Sequence, residues 1–281
     1  MDEHHERTYK LYRMIGKGSY GEVWLARCPT PGRDPVVVKK VDVTRDNIKA
    51  VVKEAKLLRR LSHPNVIGFR DCFLSGEMFV LVMEFAERGD LDTFIYRRGS
   101  TPFREEFVWF LFLQIASGLR YLHRQSIIHR DIKPKNVLFT ESGFVKIADF
   151  GLGRLLRRDE LFAQTFVGTP AYLSPEICLQ QEYDTQTDMW SLGCLLYEIV
   201  AKQKPFVGAT FLEVTRRIIS GALPEIPGGY SELVAQVLGG LLVVDPARRM
   251  TVEELFALGP VQQVASLAFG EREEFRYILH E

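Results

Sequence analysis

His129-Arg130-Asp131-Ile132-Lys133-Pro134-Lys135-Asn136 is followed, thirteen residues past its asparagine, by Asp149-Phe150-Gly151. One short stretch therefore carries a carboxylate able to take a proton, three cations, and an amide and a carboxylate suited to a hard divalent metal. Working outward, the N-terminal side holds a glycine run, Gly16-Lys17-Gly18-Ser19-Tyr20-Gly21, a strand-like Val36-Val37-Val38-Lys39-Lys40-Val41, and Glu54 in a helical stretch. On the C-terminal side lies Gly168-Thr169-Pro170-Ala171-Tyr172-Leu173-Ser174-Pro175-Glu176. Chance is a poor rival for so many chemically matched groups in one order.

Composition removes several classes. The 281 residues are 46% hydrophobic and 26% charged, ordinary for a chain that buries a substantial core. Lys plus Arg equals Asp plus Glu at 36 each, so no global field recruits nucleic acid or an anionic membrane. Cys28, Cys72, Cys178 and Cys194 have no metal-ligand spacing, and the polar start Met1-Asp2-Glu3-His4-His5-Glu6-Arg7 lacks an export core, so a reducing cytoplasmic setting is expected. The most apolar stretch, 107–119, is interrupted by Gln114 and falls short of the ~20 residues a membrane span needs.

The periodicity predicts an α+β, bilobal chain. Residues 9–41 alternate like strands, with turns at Gly16, Gly18, Gly21 and Pro29-Thr30-Pro31-Gly32, as in a small antiparallel lobe. One main helix over 47–61 follows, with Val51, Ala55, Leu58 and Leu61 at spacings of three and four, stopped by Ser62-His63-Pro64-Asn65. Strand-like runs over 66–73 and 78–85 lead to a polar link, Ala86-Glu87-Arg88-Gly89-Asp90. The pattern then turns helical, at 103–123, 187–201, 210–219, 231–243 and 251–257. One domain is thus expected over 9–257, with an N-lobe to about 85, a hinge at about 84–90, a helical C-lobe over about 91–257, and a tail over 258–281.

The residue chemistry points to phosphates. Glycines at 16, 18 and 21 let backbone N–H groups approach phosphate oxygens; a plain glycine turn is the alternative, and strand-like Val23-Trp24-Leu25 argues against a dinucleotide-binding helix. Lys39 shares a strand face with Val37, so its ammonium reaches the α- and β-phosphates while the valine meets the base; alternation turns Lys40 to the other side. Glu54 is the expected partner of Lys39, because Ala50, Val51, Leu57 and Leu58 offer it no cation along its own helix. Asp131 is the expected base or orienting group, Lys133 a positive stabiliser of the γ-phosphate, and Asn136 with Asp149 the Mg²⁺ ligands. A loop-capping role is the usual explanation for a lone Asp, but not for two aspartates in this company.

From Asp149 to Glu176 run 28 residues containing Arg154, Arg157, Arg158, Thr165 and Thr169. Thr165 is the expected regulatory phosphosite, its phosphate pairing with Arg130 beside the base. Thr169, before Pro170, is expected to bond the Asp131–Lys133 pair on the substrate platform. Glu176 is expected to pair with Arg249, and Asp188 to brace the catalytic-loop backbone.

From Tyr9 to about Ala257 the chain resembles eukaryotic protein kinases, and Lys133 with Gly168-Thr169-Pro170 resembles the serine/threonine type. Within that type, Gln164-Thr165-Phe166-Val167, Tyr172-Leu173-Ser174-Pro175-Glu176 and Met83-Glu84-Phe85 resemble the NIMA-related kinases, a family tied to mitotic, centrosomal and ciliary control. The resemblance implies ATP and Mg²⁺ as cofactors, protein substrates with Ser or Thr acceptors, an upstream kinase or self-activation, and a place near cytoskeleton, centrosome or cilium. It also implies Met83 as the residue guarding the adenine site, Glu84 to Ala86 as hinge backbone, and Leu138 as its floor. The full nucleotide set is then Ile15, Gly16, Lys17, Gly18, Ser19, Tyr20, Gly21, Val23, Val37, Lys39, Met83, Glu84, Ala86 and Leu138. Val37 departs from the alanine most kinases carry and narrows the site. A pseudokinase or scaffold that keeps the fold without catalysis would show damage at Lys39, Asp131, Asn136 or Asp149, and none is damaged.

Kinases that favour arginine upstream of the target commonly carry an acid between the loop's Pro and Asn; this chain has Lys135 there. A peptide array is therefore expected to select apolar over basic residues before the acceptor, and strong selection for Arg two or three positions upstream would refute this.

Overall fold

The computed structural model describes residues 9–18, 21–28, 34–43, 51–52, 55, 58–76, 78–149, 170–223 and 225–270. The first lobe is a five-stranded antiparallel sheet of β1 (Lys10–Gly18), β2 (Gly21–Arg27), β3 (Val36–Asp42), β4 (Phe69–Ser75) and β5 (Met78–Glu84), in the spatial order β1-β2-β3-β5-β4. Valine-rich β3 and β5 pair centrally, from Val36 opposite Glu84 to Asp42 opposite Met78. β5 is buried over Phe79–Met83, which is why its sequence reads as an apolar run rather than an alternation. On one side of this sheet Ala26, Val36, Val38, Val80 and Val82 form a small core of their own.

Residues 51, 52, 55 and 58 are helical, and Val51, Ala55 and Leu58 are buried in the main core. Arg59 and Arg60 already turn away, so this helix stops short of the expected residue 61. The run expected as a strand from 66 begins at Phe69 instead. Val66 makes only an isolated parallel bridge to Ile147, and the Ile67 N–H donates to the Ile147 carbonyl at 2.9 Å, so this segment is drawn to the second lobe rather than to the sheet.

The second lobe is mainly helical: α1 (Leu91–Arg97), α2 (Glu105–Arg124), α3 (Pro175–Cys178), α4 (Gln186–Ala201), α5 (Phe211–Ser220), α6 (Glu232–Leu241), α7 (Val252–Ala257) and α8 (Gly259–Phe269). A short hairpin of β6 (Val137–Phe139) and β7 (Val145–Ile147) faces the first lobe. The Asp90 carboxylate caps α1 by accepting from the Thr93 N–H at 2.7 Å, and Thr251 with Glu254 closes a reciprocal capping box on α7. α4 is buried at every position from Thr187 to Val200, with α2 and α6 packed against it. Gly193 allows this: a Cβ there would lie 2.9 Å from side-chain atoms of Leu241 and Leu242.

α8, within the segment left without a role by its sequence, packs on α2 and α7. Phe269 lies 5.3 Å from Phe110, extending an aromatic series in which Phe107 meets Phe110 at 6.4 Å and Phe103 at 5.4 Å, and Phe94 meets Phe103 at 5.6 Å. Phe94 in turn meets Phe139 of β6 at 5.2 Å. No helix among the described residues is long and apolar enough to cross a membrane.

One buried ion pair ties the far ends of this lobe. Arg249 donates to Glu176 through both terminal nitrogens, at 2.8 and 2.9 Å, with side-chain exposures of 0% and 2%. It also donates to the carbonyls of Val243, Gln186 and Val244, so its charge is fully solvated by protein. Burial opposes ionisation of Glu176, yet the Arg249 bonds hold its carboxyl below the usual range. Removing one partner strands the other in the interior. Arg249→Met is expected to cost about 3–5 kcal/mol in denaturant unfolding. Arg249→Met with Glu176→Leu should recover only part, because the Val243 and Val244 carbonyls lose their Arg249 donor.

Candidate active site

Asp188, on the first turn of α4 and 0% exposed, accepts from two successive backbone amides: His129 N–H at 2.8 Å through Oδ2 and Arg130 N–H at 2.7 Å through Oδ1. His123 Nε2 of α2 lies 2.9 Å from the same Oδ2. A loop that would otherwise be free is thus fixed to the most buried helix of the lobe. Arg130 takes φ 71° and Asp149 φ 62°, left-handed values that cost a non-glycine residue on the order of 1 kcal/mol or more and persist only where surroundings enforce them.

His129 joins the two motifs. Its Nδ1 accepts the Asp131 N–H at 3.2 Å, which leaves Nε2 to donate to the Ala148 carbonyl at 3.0 Å. Burial lowers the His129 pKa, so the ring is neutral and keeps this donor–acceptor arrangement. The Ala148 N–H donates to the Asn136 carbonyl at 2.8 Å, closing the link between the loop and the residue preceding Asp149.

Asp131 is half exposed, with both carboxylate oxygens held by the Lys133 ammonium at 2.8 and 2.7 Å. Asn136 sends its side-chain N–H₂ to the Asp131 carbonyl at 2.7 Å and to Asp131 Oδ2 at 2.9 Å. With the amide nitrogen turned to Asp131, its amide oxygen faces elsewhere and remains available as a hard ligand. Lys39 of β3, 8% exposed, reaches across to Asp149 Oδ1 at 2.7 Å. The two lobes therefore meet through a cation and a carboxylate at the mouth of the site.

Behind that pair lies a cavity of about 380 Å³. Its lining combines apolar Ile15, Val23, Val37, Ile67, Met83, Ala86, Leu138 and Ala148 with polar and charged groups that include Arg13, Glu87, Asp90 and Lys135 as well as Lys39, Asn136 and Asp149. Apolar surface combined with cations and hard oxygen ligands suits a purine nucleotide and a divalent metal. Among the described residues no cluster of three or more His, Cys, Asp or Glu side chains could hold a metal alone. Asn136 and Asp149 are oxygen donors on this lining that could hold a hard divalent cation.

Of the sequence-selected residues, Ile15, Val23, Val37, Lys39, Met83, Glu84, Ala86, Leu138, Asn136 and Asp149 line this one cavity. Gly16, Lys17, Gly18 and Gly21 sit in the paired β1–β2 ladder above it, where Lys17 Nζ lies 3.7 Å from Glu22. Gly21 has φ 117°, and a Cβ there would overlap the Lys40 carbonyl, so only glycine fits that crossing. The Arg130 guanidinium lies 5.3 Å from the Tyr183 ring centroid. Ser19, Tyr20, Glu54, Thr165 and Thr169 lie outside the described residues. Sequence reasoning missed Ile67 and Ala148; both belong to short apolar runs whose burial partner no periodicity names. The His129 bridge and the His123 contact were missed as well. A larger groove of about 830 Å³, lined by Glu182, Tyr183, Asp184 and Arg248 among others, includes the architectural pair Glu176 and Arg249 but none of the residues selected for catalysis, nucleotide or metal.

The protein kinase domain family matches residues 9–258. Among curated proteins, the chain is 36% identical over 249 residues to "Serine/threonine-protein kinase Nek5" of Mus musculus, covering 88% of this chain and 39% of that protein. It is 36% identical over 256 residues to mouse "Serine/threonine-protein kinase Nek11", covering 89% and 41%. It is 37% identical over 254 residues to "Putative serine/threonine-protein kinase A" of Trypanosoma brucei brucei, covering 87% and 58%. The chain thus spans about two-fifths to three-fifths of the length of these relatives.

Asp188→Asn replaces an acceptor with a donor facing the loop amides. The amides of His129 and Arg130 are expected to exchange with solvent about 5- to 150-fold faster, as the loss of roughly 1–3 kcal/mol of buried hydrogen bonding implies. Hydrogen-exchange mass spectrometry on the folded variant reads this directly.

Proposed function

The chain belongs to the protein kinase family, and from that membership we propose that it transfers the γ-phosphoryl group of ATP, with Mg²⁺, to serine and threonine hydroxyls of protein substrates. The observation that carries this reading is the convergence of Lys39, Asn136 and Asp149 on the lining of one cavity, with Asp131 held 2.9 Å from the Asn136 amide. The names of the relatives, and Lys133 two residues past Asp131, support serine and threonine as acceptors.

Bound Mg²⁺ and ATP supply the phosphoryl group and a charge that neutralises it. The residues do the rest. Asp131 would accept the hydrogen bond of the incoming hydroxyl and aim its oxygen at the γ-phosphorus; as that bond forms, the bond from phosphorus to the β–γ bridging oxygen breaks, ADP leaves with that oxygen, and Asp131 takes the hydroxyl proton. Lys133, already on Asp131, stands where negative charge accumulates on the transferred group, and Lys39 steadies the phosphates farther in. Met83 and Ala86 with Leu138 hold the base on its apolar faces and keep water from it. Thr165 is the proposed switch: its phosphate would add about −1.5 to −2 charges within reach of Arg130 and order the substrate platform that includes Thr169. Protein substrates and an activating kinase, or a second copy acting in trans, are the partners this implies.

Phosphopeptide mass spectrometry after incubation with Mg²⁺, ATP and casein tests the reading. Phosphate is expected on casein and on Thr165, reduced about 10²–10⁴-fold in Asp131→Asn and Lys39→Met. Nucleotide binding without transfer, persisting in Thr165→Glu, would instead identify a pseudokinase.

A further inference from the structure

At the rear of the cavity, Lys146 Nζ lies 2.6 Å from Glu84 Oε1, and both side chains are largely withdrawn from solvent, at 15% and 19% exposed. The two belong to different lobes. Glu84 ends β5, between Met83 and Ala86, whose side chains line the cavity. Lys146 is central in β7, three residues before Asp149. Glu84 thus borders the cavity while its carboxylate pairs with Lys146 of the other lobe.

The surroundings are built to hold the pair. The Glu84 N–H donates to the Gly68 carbonyl at 2.9 Å, next to Ile67, whose own N–H donates to Ile147 at 2.9 Å. A Cβ on Gly68 would stand 2.7 Å from Glu84 Oε2, so glycine there leaves the space into which the carboxylate folds. Val66–Gly68, Glu84 and Lys146–Ile147 are therefore one cross-lobe clasp.

We propose that Glu84 and Lys146 are positioning residues that set nucleotide affinity, by fixing the distance between the hinge backbone beside the base and the strand that delivers Asp149. The two charges pair with each other, and Lys146 is not part of the cavity lining. The inference rests on reading the cavity as a nucleotide site. When the pair is broken, the base end and the metal end of the site no longer keep one separation, and binding that spans both is weakened. Turnover, governed by the separately braced Asp131 loop, changes little.

Full-length chain is titrated with a fluorescent mant-ATP and Mg²⁺, with thermal melting in parallel and kcat and ATP KM measured on casein. Lys146→Met and Glu84→Gln are each expected to raise the probe Kd about tenfold, the equivalent of about 1.4 kcal/mol, and ATP KM similarly, with kcat within about threefold. The reversed pair Glu84→Lys with Lys146→Glu is expected to return Kd most of the way to wild type. Gly68→Ala keeps both charges but displaces the carboxylate, and is expected to raise Kd as well. Should the single variants fail to fold, the reversed pair and Gly68→Ala decide. Unchanged Kd in every folded variant, even with lowered melting temperatures, would make the pair structural only and overturn the inference. A reversed pair no tighter than the single variants would overturn it too. Wild-type chain that binds no probe would overturn the nucleotide reading itself, and this inference with it.

Discussion

The site depends on a carboxylate that never meets solvent. Asp188 sits on the helix with the deepest burial in the molecule and spends both oxygens on the backbone of the loop that presents Asp131. Such a group is costly to bury alone and is tolerated only because amides and His123 surround it. The dependence runs both ways. The loop keeps its left-handed turn at Arg130 because Asp188 demands two adjacent amides, and the buried Asp188 oxygens are satisfied because the loop supplies them.

A second constraint is that the cavity is walled by two separately folded bodies. The sheet contributes Lys39 from a strand whose neighbours fix its register, and the helical lobe contributes Asn136 and Asp149 from a hairpin only three residues wide on each side. The hairpin is too small to be rigid alone. It gains its stiffness from outside, through the bridge from His129 to Ala148 and through Asn65, whose N–H₂ donates to Val145 at 2.7 Å while Gln114 accepts from the Val145 N–H at 2.9 Å.

The α+β architecture was legible because its signals are local: valine alternation for β3, helical spacing for α2 and α4, a capping pair for α7. So were the types of residue the chemistry requires, since few residues can take a proton, hold Mg²⁺ or neutralise a phosphate. What could not be read were partnerships across long separations. Val66 and Ile67 have strand-like side chains, yet their backbone bonds go to Ile147 rather than to the sheet. Arg249 was expected on Glu176, but the three carbonyls it also serves lie on segments that no spacing rule connects to it. Glu84 was chosen for its backbone, while its side chain turns to Lys146.

The aromatic series that ends at Phe269 bears on where this unit stops. The family match closes at residue 258, whereas the apolar core takes in Val261, Ala265 and Phe269, each 1% exposed or less. The homology border and the physical border are therefore different lines. A fragment cut at the first would uncover the flank of α2 along Phe110 and present a sticky, helix-shaped gap to its neighbours in solution. The eleven residues of α8 are better regarded as the lobe's outer wall than as its trailing end.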